Sequence, residues 1–102
     1  MEIPYQTIKQ GIELPNGERV VVFLIESANR TMPRPELLRN VFKLRKDGAP
    51  IWRIQLSDSE GARAFQEVYL AADGRLLAYN ADSWEYEVDV ESGMARPHAF
   101  LK

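Results

Sequence analysis

Cysteine is absent from the 102 residues of this chain, and histidine occurs only once, at position 98. Without thiols the chain can form neither disulfides nor thiolate metal sites, and a reducing compartment does not weaken its fold. A single histidine also leaves too few nitrogen ligands for a tetrahedral zinc site. We therefore expect no metal, no cofactor and a cytoplasmic location.

Long apolar runs and a strong charge of one sign are also absent. The opening residues, MEIPYQTIKQ, lack the basic start and apolar stretch of a signal peptide, and no segment approaches the roughly 18 apolar residues that cross a bilayer. Thirteen basic residues against fifteen acidic ones give a net charge of −2, which does not attract nucleic acid. We expect one domain over residues 1–102, with no membrane or nucleic-acid binding.

Four turn signals divide the chain into β-rich segments. Each combines a polar residue with glycine, a pair that favours a tight turn between two strands because glycine adopts positive φ without strain. These pairs are Asn16-Gly17, Asp47-Gly48, Asp73-Gly74 and Ser92-Gly93. The sequence NADS at residues 80–83 predicts one more turn, so the last strands should form a meander.

The strands between these turns predict an all-β fold. RVVVFLI, which starts at Arg19, is apolar on both parities and is typical of a strand covered on both faces. We expect an antiparallel meander of about eight strands, arranged as two blade-like four-stranded sheets in a sandwich or a small barrel.

Two connections leave alternatives open. The Pro-rich segment 27–38 predicts a loop, with one helical turn at residues 36–39. In the segment 59–72, a capping pattern from Ser57 to Glu60 and apolar residues at helical spacing permit a helix, which would make the fold α+β. The β-branched and aromatic content of FQEVYL favours a strand there.

Two hairpins share a pattern at a separation of about 45 residues, close to the repeat length of propeller blades. YEVDVESG resembles the strand-and-turn signature of quinoprotein-type β-propeller blades, and NVFKLRKDGAPIWRI looks like a second copy with Trp52 in the returning strand. The whole chain also resembles small uncharacterised bacterial proteins, some of which we expect to be immunity proteins. This resemblance implies a protein that inhibits a toxin by binding it.

The segment WEYEVDVE alternates between rings or aliphatic side chains and carboxylates. Trp84, Tyr86, Val88 and Val90 should face inward, because alternate side chains of a strand point to opposite faces. The other parity forms a row of carboxylates that either docks a basic partner or is an ordinary solvated face. This row, the acidic row below, consists of Glu85, Glu87, Asp89 and Glu91.

Arginines in the Pro-rich loop are a second candidate contact, since Arg30 and Arg34 have the geometry to bind phosphate or carboxylate groups. Catalysis would depend on His98, but no nucleophile motif surrounds any serine. We assign no catalytic residue. A small-ligand binder or an enzyme that uses His98 and nearby carboxylates is the alternative.

The sequence therefore predicts a non-catalytic binding module whose specific function it does not name. The expected partner is a protein, and it should be a basic protein if it binds to the acidic row. An immunity-type inhibitor of a basic toxin is the more specific version. Self-association is a further expectation, because open sheets leave unpaired edges that a second copy can cover.

Overall fold

The computed structural model describes residues 1–56 and 63–100, except for the side chain of Phe100. A 3-10 helix, Ser27–Asn29, and one short α-helix, α1 (Arg34–Leu37), interrupt an otherwise β-rich chain. The nine strands are β1 (Ile8–Glu13), β2 (Arg19–Phe23), β3 (Val41–Leu44), β4 (Pro50–Arg53), β5 (Gln55–Leu56), β6 (Phe65–Leu70), β7 (Leu76–Asn80), β8 (Trp84–Val88) and β9 (Met94–Phe100).

Hairpins form at all four predicted glycine turns. Gly17, Gly48, Gly74 and Gly93 have φ values between 80° and 93°, in the region that glycine adopts most easily. The NADS turn also forms, because the side-chain oxygen of Asn80 accepts hydrogen bonds from the backbone N–H groups of Asp82 and Trp84. Ser83 completes this turn at a φ of 68°.

The strands form two sheets, which confirms the predicted all-β class. The first sheet has the order β1-β2-β3-β4, and the second has the order β5-β9-β8-β7-β6. All pairs are antiparallel except β5 with β9, which the sequence did not predict. The described strands form two open sheets and no closed barrel, so the sandwich is the correct alternative of the two that the sequence left open.

The main hydrophobic core lies between the two sheets. Val20 and Val22 of β2 point into it, together with Trp52 of β4. From the second sheet, Phe65 and Tyr86 meet edge to face with ring centroids 5.4 Å apart. The alternating inward residues of both sheets thus build one shared core, as in other sandwiches.

A second cluster covers the opposite face of the first sheet. Val21, Phe23 and Phe42 point away from the main core and pack against Tyr5 from the N-terminal segment and Leu37 from α1. Strand β2 is therefore buried on both faces, as its uninterrupted apolar run predicted.

The helix alternative for residues 59–72 is wrong over its described part. Residues Phe65–Leu70 form strand β6, which pairs with β7, and Phe65 and Val68 pack into the core between the sheets. These two residues are three positions apart because a β-bulge lies between Phe65 and Glu67. Residues 57–62 lie outside the described residues. No helix in the described part of the chain has the length and hydrophobicity needed to cross a membrane.

Candidate functional site

The outer face of the second sheet carries polar and aromatic side chains in two rows. The pairing register aligns four strands, so residues from β6, β7, β8 and β9 lie side by side across the sheet. One row contains Tyr69, Leu77, Glu87 and Arg96, and the next contains Glu67, Tyr79, Glu85 and Ala99. We call these residues, together with Arg75 and His98, the outer face.

Glu87 of the acidic row lies between two arginines. Its Oε1 is 3.3 Å from Nη1 of Arg75, and its Oε2 is 3.7 Å from Nη2 of Arg96. Asp73 accepts a 2.8 Å hydrogen bond from Nε of Arg75. A further hydrogen bond from the backbone N–H of Arg75 lowers the pKa of Asp73, and the bond to Asp73 raises the pKa of Arg75. Glu87 is thus part of a charge network on the sheet.

Glu85 is the most buried carboxylate of the acidic row, with only 7% of its surface exposed. Strand β9 has an irregularity opposite this point, since Glu85 pairs with Ala99 while Tyr86 pairs with Pro97. The extra residue of this bulge is His98, whose Nε2 lies 3.5 Å from Oε1 of Glu85. The prediction that every member of the row faces solvent is therefore wrong for Glu85.

Asp89 and Glu91 lie beyond the end of β8, in the turn to β9. The side-chain oxygen Oδ1 of Asp89 accepts a 2.9 Å hydrogen bond from the backbone N–H of Glu91, and both residues are exposed. The four carboxylates consequently do not form one continuous stripe. Two lie on the sheet beside cationic or titratable neighbours, and two lie on the turn.

The inward parity of β8 holds for Tyr86 and Val88, which are buried in the main core. It does not hold for Trp84, which is 41% exposed. Trp84 is the first residue of β8, directly after the NADS turn. The expectation that this ring is buried is wrong, because alternation determines on which side of a strand a side chain lies but not how deeply it is covered.

Arg30 and Arg34 lie far from the acidic row in the architecture. They follow the 3-10 helix and begin α1, in the segment that covers the outer surface of the first sheet. Both are exposed. Because the acidic row belongs to the opposite sheet, the sandwich itself separates the two predicted contact regions.

The two tyrosines of the outer face were not among the contact residues predicted from the sequence. Tyr69 and Tyr79 are half-buried and lie on neighbouring strands, and the Tyr79 hydroxyl donates a 3.2 Å hydrogen bond to Ser83. In RLLAYN, alternation places Tyr79 on the parity opposite Leu76 and Ala78, so this signal was available from the sequence. Tyr69 has the same parity as the buried Phe65, and it lies on the other face because of the β-bulge between Phe65 and Glu67, which alternation does not predict.

The open end of the sandwich holds a groove of about 600 Å³ between the β1–β2, β6–β7 and β8–β9 turns. Its apolar lining comes from Leu14, Ile51, Leu70 and Val90. Its charged lining comes from Lys43, Glu18 and Glu91.

Lys43 is the unexpected member of this groove, since its side chain is only 7% exposed. Its ammonium lies 3.2 Å from Oε1 of Glu18 and donates a 3.1 Å hydrogen bond to the carbonyl of Val90. Hydrogen bonds from the Asn16 side chain and from Lys43 lower the pKa of Glu18, so this carboxylate stays charged. Sequence alternation gave a signal here, because Lys43 shares the inward parity of Val41.

Catalytic and metal chemistry find little support among the described residues. His98 Nε2 lies 3.5 Å from Oε1 of Glu85, and no described serine is hydrogen-bonded to His98. Ser57 and Ser59 lie outside the described residues. Within 1–56 and 63–100, no three His, Asp or Glu side chains come together as a metal site would require.

Among known proteins, the chain matches one family model. Neither a curated protein nor a solved structure matches the sequence. A family model described as a domain of unknown function, DUF7957, matches residues 4–100, which is nearly the whole chain. The chain therefore belongs to the DUF7957 family.

Proposed function

We propose that this protein is a non-catalytic binding module that docks a partner protein on the outer face. One observation carries the proposal: the two sheets differ in what lies against their outer surfaces. Chain segments around Tyr5 and Leu37 pack over the first sheet, whereas Glu67, Arg96 and His98 on the second sheet are exposed.

The composition of the outer face supports a protein partner. Tyrosine and arginine are enriched at protein interfaces, because they combine a large contact area with hydrogen-bonding groups. Tyr69, Tyr79 and Arg96 occupy paired strands, where the backbone holds them in place before a partner arrives. Such preorganisation lowers the entropy lost on binding.

The charge of this region supports a basic partner. Carboxylates outnumber guanidinium groups on the outer face and its adjoining turn. Glu67 and Glu91 take part in no ion pair within the described part of the chain, so both can meet cations of a partner. An immunity-type inhibitor of a basic toxin is the specific form of this proposal, and complementary charge would accelerate its association.

The alternative, catalysis by His98, has less support from the described residues. His98 lies on the surface at a strand bulge, and its contact is with Glu85. A general base needs a substrate pocket beside it. Four cavities among the described residues are lined by side chains other than His98.

Affinity capture from the native cell tests the proposal when paired variants are compared. Glu67→Arg reverses an exposed charge on the outer face, and Glu2→Arg reverses an exposed charge on the N-terminal segment. We expect the wild type and Glu2→Arg to recover the same partner. Titration of the purified pair should show affinity at least about fivefold weaker for Glu67→Arg, since like charges across an interface cost on the order of 1 kcal/mol or more.

Two outcomes would contradict the proposal. Equal affinity of the Glu67→Arg and Glu2→Arg variants would remove the outer face from the interface. Light scattering that gives a dimer for the wild type and a monomer for Glu67→Arg would show that a second copy of the chain occupies the face instead.

A further inference from the structure

The groove at the open end of the sandwich combines an apolar wall with an excess of negative charge. Its volume of about 600 Å³ lies within the range of small-molecule sites, which are mostly apolar with a few placed polar groups. The leucine and isoleucine side chains that line it come from three different hairpins, so the wall is built by the fold rather than by one flexible loop.

Two charges of the groove are in direct contact, and a third lines the same groove. Glu18 contacts the Lys43 ammonium, and the same ammonium binds the carbonyl of Val90, the residue directly before Glu91. Lys43 neutralises one carboxylate, and Glu91 makes no ion pair with any other described residue. The charged side chains that line the groove therefore sum to one net negative charge beside the apolar wall.

We propose that this groove binds a small amphipathic amine, with its apolar body against Leu14, Ile51 and Leu70 and its ammonium beside Glu91 and Glu18. Charge complementarity selects this occupant. A carboxylate ligand would be repelled by Glu18 and Glu91, and a neutral ligand would leave the surplus charge without a counterion. The inference does not depend on the outer face or on a protein partner.

The third N–H of the Lys43 ammonium does not make the groove favour a carboxylate ligand over an amine. An ammonium has three donors, and two of them are engaged by Glu18 and the Val90 carbonyl. A ligand carboxylate that used the third donor would lie next to the Glu18 carboxylate, which the depressed pKa keeps charged. Repulsion between these carboxylates opposes anion binding at this position.

Three probes of the same shape test the inference by NMR titration of the 15N-labelled protein at pH 7 and low salt. They are 2-phenylethylammonium, 2-phenylethanol and 3-phenylpropionate. We expect saturable shifts at the amides of Ile51, Leu70 and Val90 for the amine, with a Kd in the roughly millimolar range typical of ligands this small. The alcohol should bind several times more weakly, and the acid should produce no saturable shift.

Matched variants locate the binding. Leu70→Trp fills the groove and should abolish the saturable shifts, whereas Leu24→Trp changes a leucine of similar exposure, 41% against 40%, outside the groove and should leave them unchanged. Glu91→Gln should weaken amine binding about two- to fivefold, the size expected for one exposed ion pair. Glu13→Gln, outside the groove, is its control.

Several results would overturn the inference. Acid binding as tight as amine binding would show that Lys43 rather than the carboxylates selects the ligand. Amine shifts that persist in Leu70→Trp, or the absence of any saturable shift with the amine, would remove the groove as its site.

Discussion

At the scale of single residues, Trp52 holds the β8–β9 turn. Its indole Nε1 donates a 2.7 Å hydrogen bond to the carbonyl of Val90, which also accepts a hydrogen bond from Lys43. The ring lies against Gly93, where a Cβ atom would stand 2.6 Å from Cδ2 of Trp52. Gly93 is thus required both by its φ of 80° and by the ring beside it.

Replacement of this glycine separates the two effects. Gly93→Ala should lower the free energy of unfolding by roughly 2–4 kcal/mol, because backbone strain and overpacking both act. Gly74→Ala, at a φ of 87° but with nothing within 4 Å of its Cβ position, should cost only about 1 kcal/mol from strain. Urea denaturation measures both. Equal losses would show that Trp52 moves aside without cost.

At the scale of elements, two amide side chains bind the outer edge of β6 in place of a neighbouring strand. Gln10 of β1 accepts from the N–H of Val68 at 2.7 Å and donates to its carbonyl at 2.9 Å. Asn40 likewise accepts a 2.9 Å hydrogen bond from the N–H of Phe65 and donates a 3.0 Å hydrogen bond to the carbonyl of Phe65. A β-bulge between Phe65 and Glu67 allows the backbone N–H and carbonyl groups of both Phe65 and Val68 to point to this edge. The edge is therefore protected from pairing with another chain.

Removal of these amides should destabilise the edge. Asn40→Leu should lower the free energy of unfolding by roughly 2–4 kcal/mol, because it leaves the buried N–H and carbonyl of Phe65 without their partner. Gln10→Leu should accelerate hydrogen exchange at the Val68 amide. Gln55→Leu, an exposed glutamine on β5, should change neither quantity measurably. An Asn40→Leu variant as stable as the wild type would refute the importance of the edge contacts.

At the scale of the whole molecule, the N-terminal segment, α1 and the first sheet are joined around Tyr5. The Tyr5 hydroxyl lies 3.0 Å from the Leu37 carbonyl and accepts a 3.1 Å hydrogen bond from Nη2 of Arg53. Nη1 of Arg53 also forms a 2.9 Å ion pair with Glu36. Burial raises the pKa of Tyr5 above its ordinary value of 10.0, although Arg53 opposes the shift.

This shift predicts alkaline destabilisation. A raised pKa in the folded state means that the folded protein retains the phenol proton more strongly than the unfolded chain. Its contribution is fully present below pH 10.0 and is lost as the pH rises through the folded pKa. Tyr5→Phe should therefore lose less stability than the wild type between pH 9 and pH 11, in urea denaturation. Equal losses of stability in the wild type and in Tyr5→Phe would contradict the raised pKa of Tyr5.

Local chemistry was sufficient to predict the strands and turns. Asn-Gly, Asp-Gly and Ser-Gly pairs determine backbone φ within a few residues, and alternation determines which residues share a face. Both are short-range properties, so the hairpins, the burial of β2 on both faces and the all-β class followed from the sequence.

Only the tertiary structure decided how these faces are used. Glu85 is buried where a bulge in β9 brings His98 to within 3.5 Å of it, and Trp84 is exposed although it shares the parity of Tyr86. The pairing of Asn40 with Phe65 spans 25 residues, and that of Lys43 with Val90 spans 47. Such contacts depend on how the two sheets pack, which neither alternation nor turn chemistry encodes. For the same reason, the fold was needed to show that residues of different hairpins meet in the groove and across the outer face, although alternation gave a signal for single members such as Lys43 and Tyr79.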